Sequence, residues 1–477
     1  MEKNLVIKGL KEILGEAGVV TDEAAITKAS TDYIGFRRYE RADGKWFANR
    51  AACVAKPRNV GEVSKTLAFL NANGVDAVPR TGGSSVTMSI EPERDGVILD
   101  GSGISGIVSL NEKDMMITAL CGTPLEHIEN YLNERGYTTG HFPQSLPLAQ
   151  IGGLVATRSI GQFSTLYGGI EDLLVGLEAV LADGTVVKIK NSPRRSVGPD
   201  LRHLFIGSEG MLAFITEATI KIFRHTPETR WMNAWTVKGM DAGLDLIRDV
   251  MVAGFRPAVI RLHDAEEVSR MFSGAIDEGL AVLLFLAEGP ASITAATGAA
   301  VAEIASRYDT KDLGSRYVES WLKTRNHEAS RMDEPVFYNM GIVADTCEIS
   351  APWSQIGKIY DAVVERLPKE MANLVSIGGH SSHSYMQGTN IYFTFGFTVT
   401  GGVESAEKDY VKLVSVIMEE TLKRDGSIAH HHGSGKYRTK WMPQEHGSSY
   451  PLLYKMKDAL DPNRILNKGV ILVDEGK

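Results

Sequence analysis

Residues 79–86 read PRTGGSSV, a strand-to-turn junction whose reading decides how the first half of the chain folds. Residues 75–79 are predicted to form a short buried strand, and the small residues 81–85 a turn after it. Gly82 and Gly83 lack a Cβ, so the backbone there can take positive φ and approach a ligand closely. Successive N–H groups in such a turn form an anion-binding concavity suited to a pyrophosphate, and Ser84 and Ser85 add hydroxyl donors. A lone Gly-Gly pair is more often an ordinary tight turn. The weight therefore rests on three segments further along the chain.

These are, in order, PQSLPLAQIGG (143–153), ATRSIG (156–161) and GSEGMLAFI (207–215). With PRTGGSSV they resemble the FAD-binding domain shared by vanillyl-alcohol oxidase, p-cresol methylhydroxylase, D-lactate dehydrogenases and alkyl-dihydroxyacetonephosphate synthase. The resemblance implies that FAD is held by Pro79, Arg80, Thr81, Gly82, Gly83, Ser84 and Ser85 of the first segment, and by Gln144, Ser145, Leu146, Gln150, Ile151, Gly152 and Gly153 of the second. Thr157, Ser159 and Ile160 come from the third, and Glu209, Gly210, Phe214 and Ile215 from the fourth. It also implies that FAD is not tethered through the first loop, because members tethered there carry histidine in an RxGGH segment where this chain has Ser84; noncovalent FAD is the expectation, and attachment through a histidine or tyrosine of the second domain is the alternative. No GxGxxG sits between a first strand and a helix with an acidic residue beyond it, so a nicotinamide cofactor is not indicated.

Composition sets the bounds. A length of 477 residues allows two to three domains with full cores. A net charge of -8 argues against a nucleic-acid partner, since phosphate neutralisation needs a basic surface. Three cysteines, Cys53, Cys121 and Cys347, are too few and odd for a disulfide framework and fit a reducing cytoplasm. The first twenty residues have apolar positions at helical spacing between charges, which predicts an amphipathic surface helix. The longest apolar stretch, 280–287, is too short to cross a bilayer.

Along the chain, strands and helices mix without a strict βαβ rhythm, so the fold class is α+β. Residues 173–181 and 186–189 flank Asp183-Gly184, a hairpin signal. Composition shifts at RHTPE (224–228) and places a boundary there. Residues 1–226 are read as a two-subdomain FAD-binding domain of the p-cresol methylhydroxylase type. Residues 227–449 alternate strands with helices and predict a substrate cap, an antiparallel sheet with helices on one face. Residues 450–477 form a C-terminal segment that, by the resemblance, returns to the FAD domain.

The resemblance extends into the cap. Trp353 closes DTCEISAPW (345–353), Tyr392 lies in GTNIYFTF (388–395), and His430, His431 and His432 open HHHGSGKYRTKW (430–441). All three segments resemble alkyl-dihydroxyacetonephosphate synthase, which exchanges the acyl chain of acyl-dihydroxyacetone phosphate for a fatty alcohol without net redox. The family's tyrosine acid/base corresponds to Tyr392, with Tyr385 of SHSYMQG as its neighbouring rival, and the histidine triplet to His430, His431 and His432. The substrate-contacting arginine of the synthases falls in register with Glu334, with Arg331 nearest; Arg331 and His383 are the substrate candidates.

Histidine titrates near neutrality and is the usual proton carrier, so three in a row between apolar flanks suggest proton chemistry. In extended geometry His430 and His432 would share a face and His431 would point away. A solvated polar loop is the competing reading. A D-2-hydroxyacid dehydrogenase of the D-lactate or glycolate type is the second functional reading. Its metal-binding GHxGDGNLH and EHG segments fall on His383, Tyr392 and His431–His432, where an oxygen ligand for a hard cation has been lost, so no metal is predicted. A pure electron-shuttling flavoprotein would not need the histidines. The predicted partners are a small-molecule substrate, a second copy in a homodimer, and an electron acceptor whose identity the sequence leaves open.

Overall fold

The computed structural model describes residues 2–45, 49–272, 276–331 and 334–473, so residues 474–477 of the predicted C-terminal segment lie outside the described residues. The first strands are β1 (Val19–Val20), β2 (Cys53–Ala55), β3 (Ala77–Arg80) and β4 (Val97–Asp100), in the order β1-β2-β4-β3. β4 is parallel to β2 and β3, and the helix Val60–Ala72 makes the crossover between β2 and β3. Asn59 starts that helix by accepting the Glu62 N–H at 3.0 Å. β3 ends at Arg80, so Gly82 and Gly83 begin where the strand stops, at the carboxyl end where sheets of this kind bind ligands.

The next strands are β5 (Ile107–Asn111), β6 (Met116–Leu120), β7 (Tyr137–Thr138), β8 (Leu174–Val180), β9 (Val186–Ile189), β10 (Phe214–Lys221) and β11 (Phe223–Arg224). Five of them form an antiparallel sheet, β5-β6-β10-β8-β9, and β7 pairs with β11 beside it. The hairpin at Asp183-Gly184 is present, with Gly184 at φ +89.

The remaining strands form one antiparallel sheet. They are β12 (Trp231–Val237), β13 (Val259–His263), β14 (Ala281–Ala287), β15 (Lys311–Asp312), β16 (Ile342–Pro352), β17 (Leu374–Ser381) and β18 (Gly388–Thr398), in the order β15-β12-β14-β13-β17-β18-β16. The helices Gly239–Val252, Ala291–Ala305, Trp353–Glu370 and Ser405–Leu422 bury their apolar stripes against one face. β14 reads AVLLFLA without polar breaks because both its faces are buried: Ala281, Leu283 and Phe285 pack under the helices, Val282, Leu284 and Leu286 toward the N-terminal sheets.

Alternation in the other central strands positions the chemistry. Ile260 and Leu262 of β13, Cys347 and Ile349 of β16, and Ile391, Phe393 and Phe395 of β18 face the helices. Their neighbours Arg261, His263, Thr346, Glu348, Tyr392 and Thr394 therefore point to the opposite face. The fold is thus α+β, with the polar side chains of a large antiparallel sheet turned toward the nucleotide-type turns.

After the helix Tyr450–Leu460, residues 465–467 run beside β3: Ala77 N–H donates to Ile465 O at 2.8 Å and Asn467 N–H to Ala77 O at 2.9 Å. Arg37 makes a further tie. Nearly inaccessible, it bonds Glu40 of its own helix at 2.8 Å, Glu91 beyond the PRTGGSSV turn at 3.1 Å and Glu407 of the helix Ser405–Leu422 at 3.1 Å. Arg37→Met would leave buried Glu40 and Glu91 without a counter-charge and should destabilise the fold by about 3–5 kcal/mol. Urea unfolding checks this: the midpoint should fall at unchanged slope. An unmoved midpoint would contradict it.

Candidate active site

A cavity of about 840 Å³ lies between the polar face of the large sheet and the turns of the first two sheets. Its side away from the large sheet is built by close contacts that only glycine permits. A Cβ on Gly82 would lie 2.4 Å from Leu148 O, so the PRTGG and LAQIGG segments touch main chain to main chain. Gly83 stands at φ +66, and a Cβ on Gly210 (φ +77) would meet Pro79 at 3.0 Å. Around these turns Arg80 Nε, Thr81 Oγ1 and Gln150 Oε1 are buried without a hydrogen-bond partner among the described residues. The glycine turns and the two unspent donors, Arg80 Nε and Thr81 Oγ1, together fit the pyrophosphate of a dinucleotide such as FAD.

On the sheet side the organising group is one that sequence reasoning did not single out. Glu348 of β16 is fully buried, and its Oε1 accepts the backbone N–H groups of His430, His431 and His432 at 3.1, 3.0 and 2.8 Å. Its Oε2 accepts from Arg438 Nη2 at 2.6 Å. Burial alone would raise this carboxyl, but Arg438 and His432 hold it well below the usual carboxylate range. His432 Nδ1 lies 3.0 Å from Glu348 Oε2, close enough for an ion pair although off the line of a hydrogen bond. A carboxylate can only accept, so the proton of His432 belongs on Nδ1, leaving Nε2 to accept from the Tyr392 hydroxyl at 3.1 Å. Thr346 Oγ1 donates to the same hydroxyl at 3.1 Å.

Tyr392 is stacked between the rings of His380 and His431, at 4.9 and 5.5 Å. Burial pushes its hydroxyl well above the ordinary tyrosine range, so it holds its proton at neutrality. Burial also pushes His430 down to about 4 and His431 and His383 well below the usual imidazole range. The triplet therefore does not behave as a strand. The backbone wraps the Glu348 carboxylate, which brings His431 into the cavity wall beside His432 and turns His430 away, correcting the expectation from extended geometry. His430 Nε2 instead meets Tyr385 Oη at 2.8 Å.

The cavity wall contains Pro79 to Ser85, Gln144, Ser145, Gln150, Gly152, Gly153, Thr157, Ser159, Ile160, Glu209, Gly210, Phe214 and Ile215, with Arg331, His383, Tyr392, His431 and His432. Leu146 and Ile151 do not line it; they pack in the hydrophobic core behind their segment. Tyr385 and His430 also stand behind the wall. The Glu209 carboxylate is turned to the protein rather than to a ligand. At φ +47 it accepts from Ser434 N at 2.7 Å and Gly435 N at 2.9 Å, joining the fourth nucleotide segment to the HHHGSG turn. Arg331 is half-exposed at the rim and paired with Glu334 at 2.7 Å. His383 donates to or accepts from Ser164 Oγ at 2.8 Å and stacks on His430.

Sequence reasoning also missed Arg261, His263, Glu267 and His380, which line the cavity from the large sheet and from the helix Ala265–Met271 after β13. Apolar neighbours on both sides hid Arg261, and the others lay in segments that the motif reading did not single out. The alternation of β13 was the available signal: Arg261 and His263 occupy every second place in VIRLH.

Residues 51–190 match the family described as the FAD binding domain, and residues 226–471 the C-terminal domain of FAD linked oxidases. The chain is 44% identical to the uncharacterized FAD-linked oxidoreductase YgcU of Escherichia coli (strain K12), covering 99% of both chains. It is 28% identical to the alkyldihydroxyacetonephosphate synthase of Caenorhabditis elegans, over 86% of this chain and 74% of that one. Identity to the mitochondrial D-lactate dehydrogenase (cytochrome) of Kluyveromyces lactis is 30%, over 88% of this chain and 73% of that one. In fold, an alkyldihydroxyacetonephosphate synthase structure superimposes with a TM-score of 0.83 at 20% identity, covering 98% of this chain and 86% of that one. The structure of p-cresol methylhydroxylase superimposes at 0.77 and 13% identity, covering 99% and 97%. The glycine-lined nucleotide turns and the polar sheet facing them thus belong to an FAD-linked oxidoreductase, a member of the FAD linked oxidase family.

Proposed function

We propose that this chain is a flavoenzyme of the alkyl-dihydroxyacetonephosphate synthase-like branch, in which Tyr392, His432 and Glu348 move a proton beside the reactive nitrogen N5 of noncovalently bound FAD. The observation that carries the reading is the continuous contact from Tyr392 through His432 to Glu348 at the cavity wall. Residues 1–226 with the tail 450–477 hold the cofactor in this reading, and residues 227–449 form the cap over substrate. FAD supplies an acceptor for a hydride or an electron pair. A proton must leave the substrate as those electrons move, so a base within reach is needed.

The side chains suit that task in a definite order. Tyr392 takes the substrate proton on its oxygen while passing its own to His432 Nε2. The imidazolium that results is met by Glu348, which Arg438 keeps ionised. His431 and His380, held neutral on either side of the tyrosine ring, exclude water without competing for the charge.

A second reading, an FAD-linked D-2-hydroxyacid dehydrogenase or oxidase, is favoured by one feature. His383, His430 and His431 bring ring nitrogens within 4.8 Å of one another, a grouping that could hold a metal. Three imidazoles without a carboxylate suit a borderline metal such as zinc more than a hard cation.

Anaerobic mixing with acyl-dihydroxyacetone phosphate, phenolic alcohols and D-2-hydroxyacids separates the two. The synthase-like reading expects the flavin spectrum to respond to acyl-dihydroxyacetone phosphate, whereas bleaching by a D-2-hydroxyacid alone favours the second. Under the first reading EDTA treatment leaves turnover unchanged; loss that zinc restores favours the other. Tyr392→Phe and His432→Ala should each lower turnover by about 10²–10⁴-fold with flavin content intact. Near-normal turnover in both would return the triplet to a polar loop. Acid precipitation should leave the yellow colour in the supernatant, and colour in the pellet would show a covalent link. Gly82→Val should collide with Leu148 O and yield protein lacking flavin absorbance; full flavin content would contradict the assignment of that turn.

A further inference from the structure

Six arginines line the cavity: Arg38, Arg80, Arg261, Arg270, Arg325 and Arg331. Four are matched by a carboxylate. Arg38 has Asp345 at 3.7 Å, Arg80 has Asp100 at 3.4 Å, Arg270 has Glu266 at 4.0 Å and Arg331 has Glu334 at 2.7 Å. Arg261 and Arg325 have no ion-pair partner among the described residues.

Both lie against one side chain. The Arg261 guanidinium is 5.2 Å from the Trp321 ring centre and that of Arg325 is 5.9 Å from it, with Arg325 also over Phe142 and Phe163 at 4.9 and 5.0 Å. Trp321 stands on the helix Arg316–Thr324, Arg261 comes from β13, and Phe142 and Phe163 come from the N-terminal part. Aromatic stacking holds a guanidinium by its face and leaves its N–H groups in the plane free to donate.

The hydrogen bonds leave those donors unspent. Among the described residues, Arg261, only 8% exposed, makes a single bond, from Nε to His263 Nε2 at 3.4 Å. Arg325 makes one among them, from Nη1 to Gln162 Oε1 at 3.5 Å. Glu267 is close to Arg261, but its oxygens are taken by His263 Nδ1 at 2.6 Å, His380 Nδ1 at 2.9 Å and Thr394 Oγ1 at 2.9 Å. His263, Glu267 and His380 could in composition hold a metal, but their ligand atoms already bond one another and a cation stands beside them. That arrangement suits an anion instead.

We propose that Arg261 and Arg325, mounted on Trp321, form a subsite for the anionic head of the substrate, a phosphate or a carboxylate. Burial pulls both guanidinium groups down to about 10, the cost of an unmatched cation that a bound anion would relieve. Planar paired donors match phosphate and carboxylate oxygens alike. The subsite rests on the proposed function only in taking this cavity as the substrate's, and it assigns substrate recognition to residues other than Arg331.

The test uses the flavin-loaded protein and reads binding, not turnover. Inorganic phosphate and acetate are titrated separately at constant ionic strength by calorimetry and by flavin absorbance. Saturable binding of phosphate identifies a phosphoryl head, and saturable binding of acetate alone a carboxylate. Arg261→Met and Arg325→Met should each weaken the bound anion by about tenfold to a hundredfold with flavin content unchanged. Should one variant fail to fold, the other decides. Tyr392→Phe should bind the anion as the parent does, which separates loss of this subsite from loss of the proton relay. Absence of binding of either anion to the parent, or parental affinity in the folded arginine variants, would overturn the proposal.

Discussion

A single buried carboxylate organises the histidine turn at the cavity. Glu348 receives the main-chain N–H groups of three consecutive histidines and the guanidinium of Arg438, and so converts a flexible HHHGSG segment into a fixed turn. The sheet register then does the positioning. Tyr392 of β18 stands directly across from Glu348 of β16 on one side and from His380 of β17 on the other. A slip of one residue would carry Tyr392 to the helix face and a phenylalanine into the cavity, so register and chemistry are the same constraint here.

The nucleotide turns are tied to that centre through side chains of small number and high burial. Glu209 bonds Ser434 and Gly435, and Asn467 bonds the carbonyls of Ser89 and Glu209 at 2.9 and 2.6 Å. Lys457 reaches Met211 O at 2.7 Å and Leu466 O at 2.6 Å. The turn after β3, the turn before β10, the histidine turn and the returning tail thus share one polar seam. Two glycines make the seam fit: a Cβ on Gly433 would lie 2.7 Å from Glu209, and on Gly435 only 1.9 Å from Thr87 O. Groups fixed before substrate arrives need no reorganisation during the reaction, which is how such networks assist catalysis.

The glycine turns at the cavity stood out because small residues at fixed places are visible in a sequence, as in Gly82-Gly83 or Gly152-Gly153. Tyr392 was singled out only through the resemblance of its segment, and the structure brings it to the cavity wall with His431 and His432. Glu348 was not singled out, because a lone glutamate in DTCEISAP looks like a solvent-facing residue until the partner segments supply its donors. Four strands of the large sheet carry a weaker signal: Asp345 and Glu348, which bond other protein groups instead of water, interrupt β16, and Gly378, Gly379 and His380 interrupt β17. β13 is short and β15 has only two residues. Periodicity records burial on each face, and it cannot distinguish an enclosed polar cavity from bulk solvent. The face of His431 was misread because the triplet is neither strand nor helix.

The central claim is that the Tyr392–His432–Glu348 contact borders the reacting end of the flavin. A crystal structure of the FAD-loaded protein tests it most directly. The account predicts the pyrophosphate at Gly82 and Gly83 and the flavin ring against Tyr392, His431 and His432. A ring lying elsewhere in the cavity, with Tyr392 out of reach of N5 and of any ligand beside it, would contradict it.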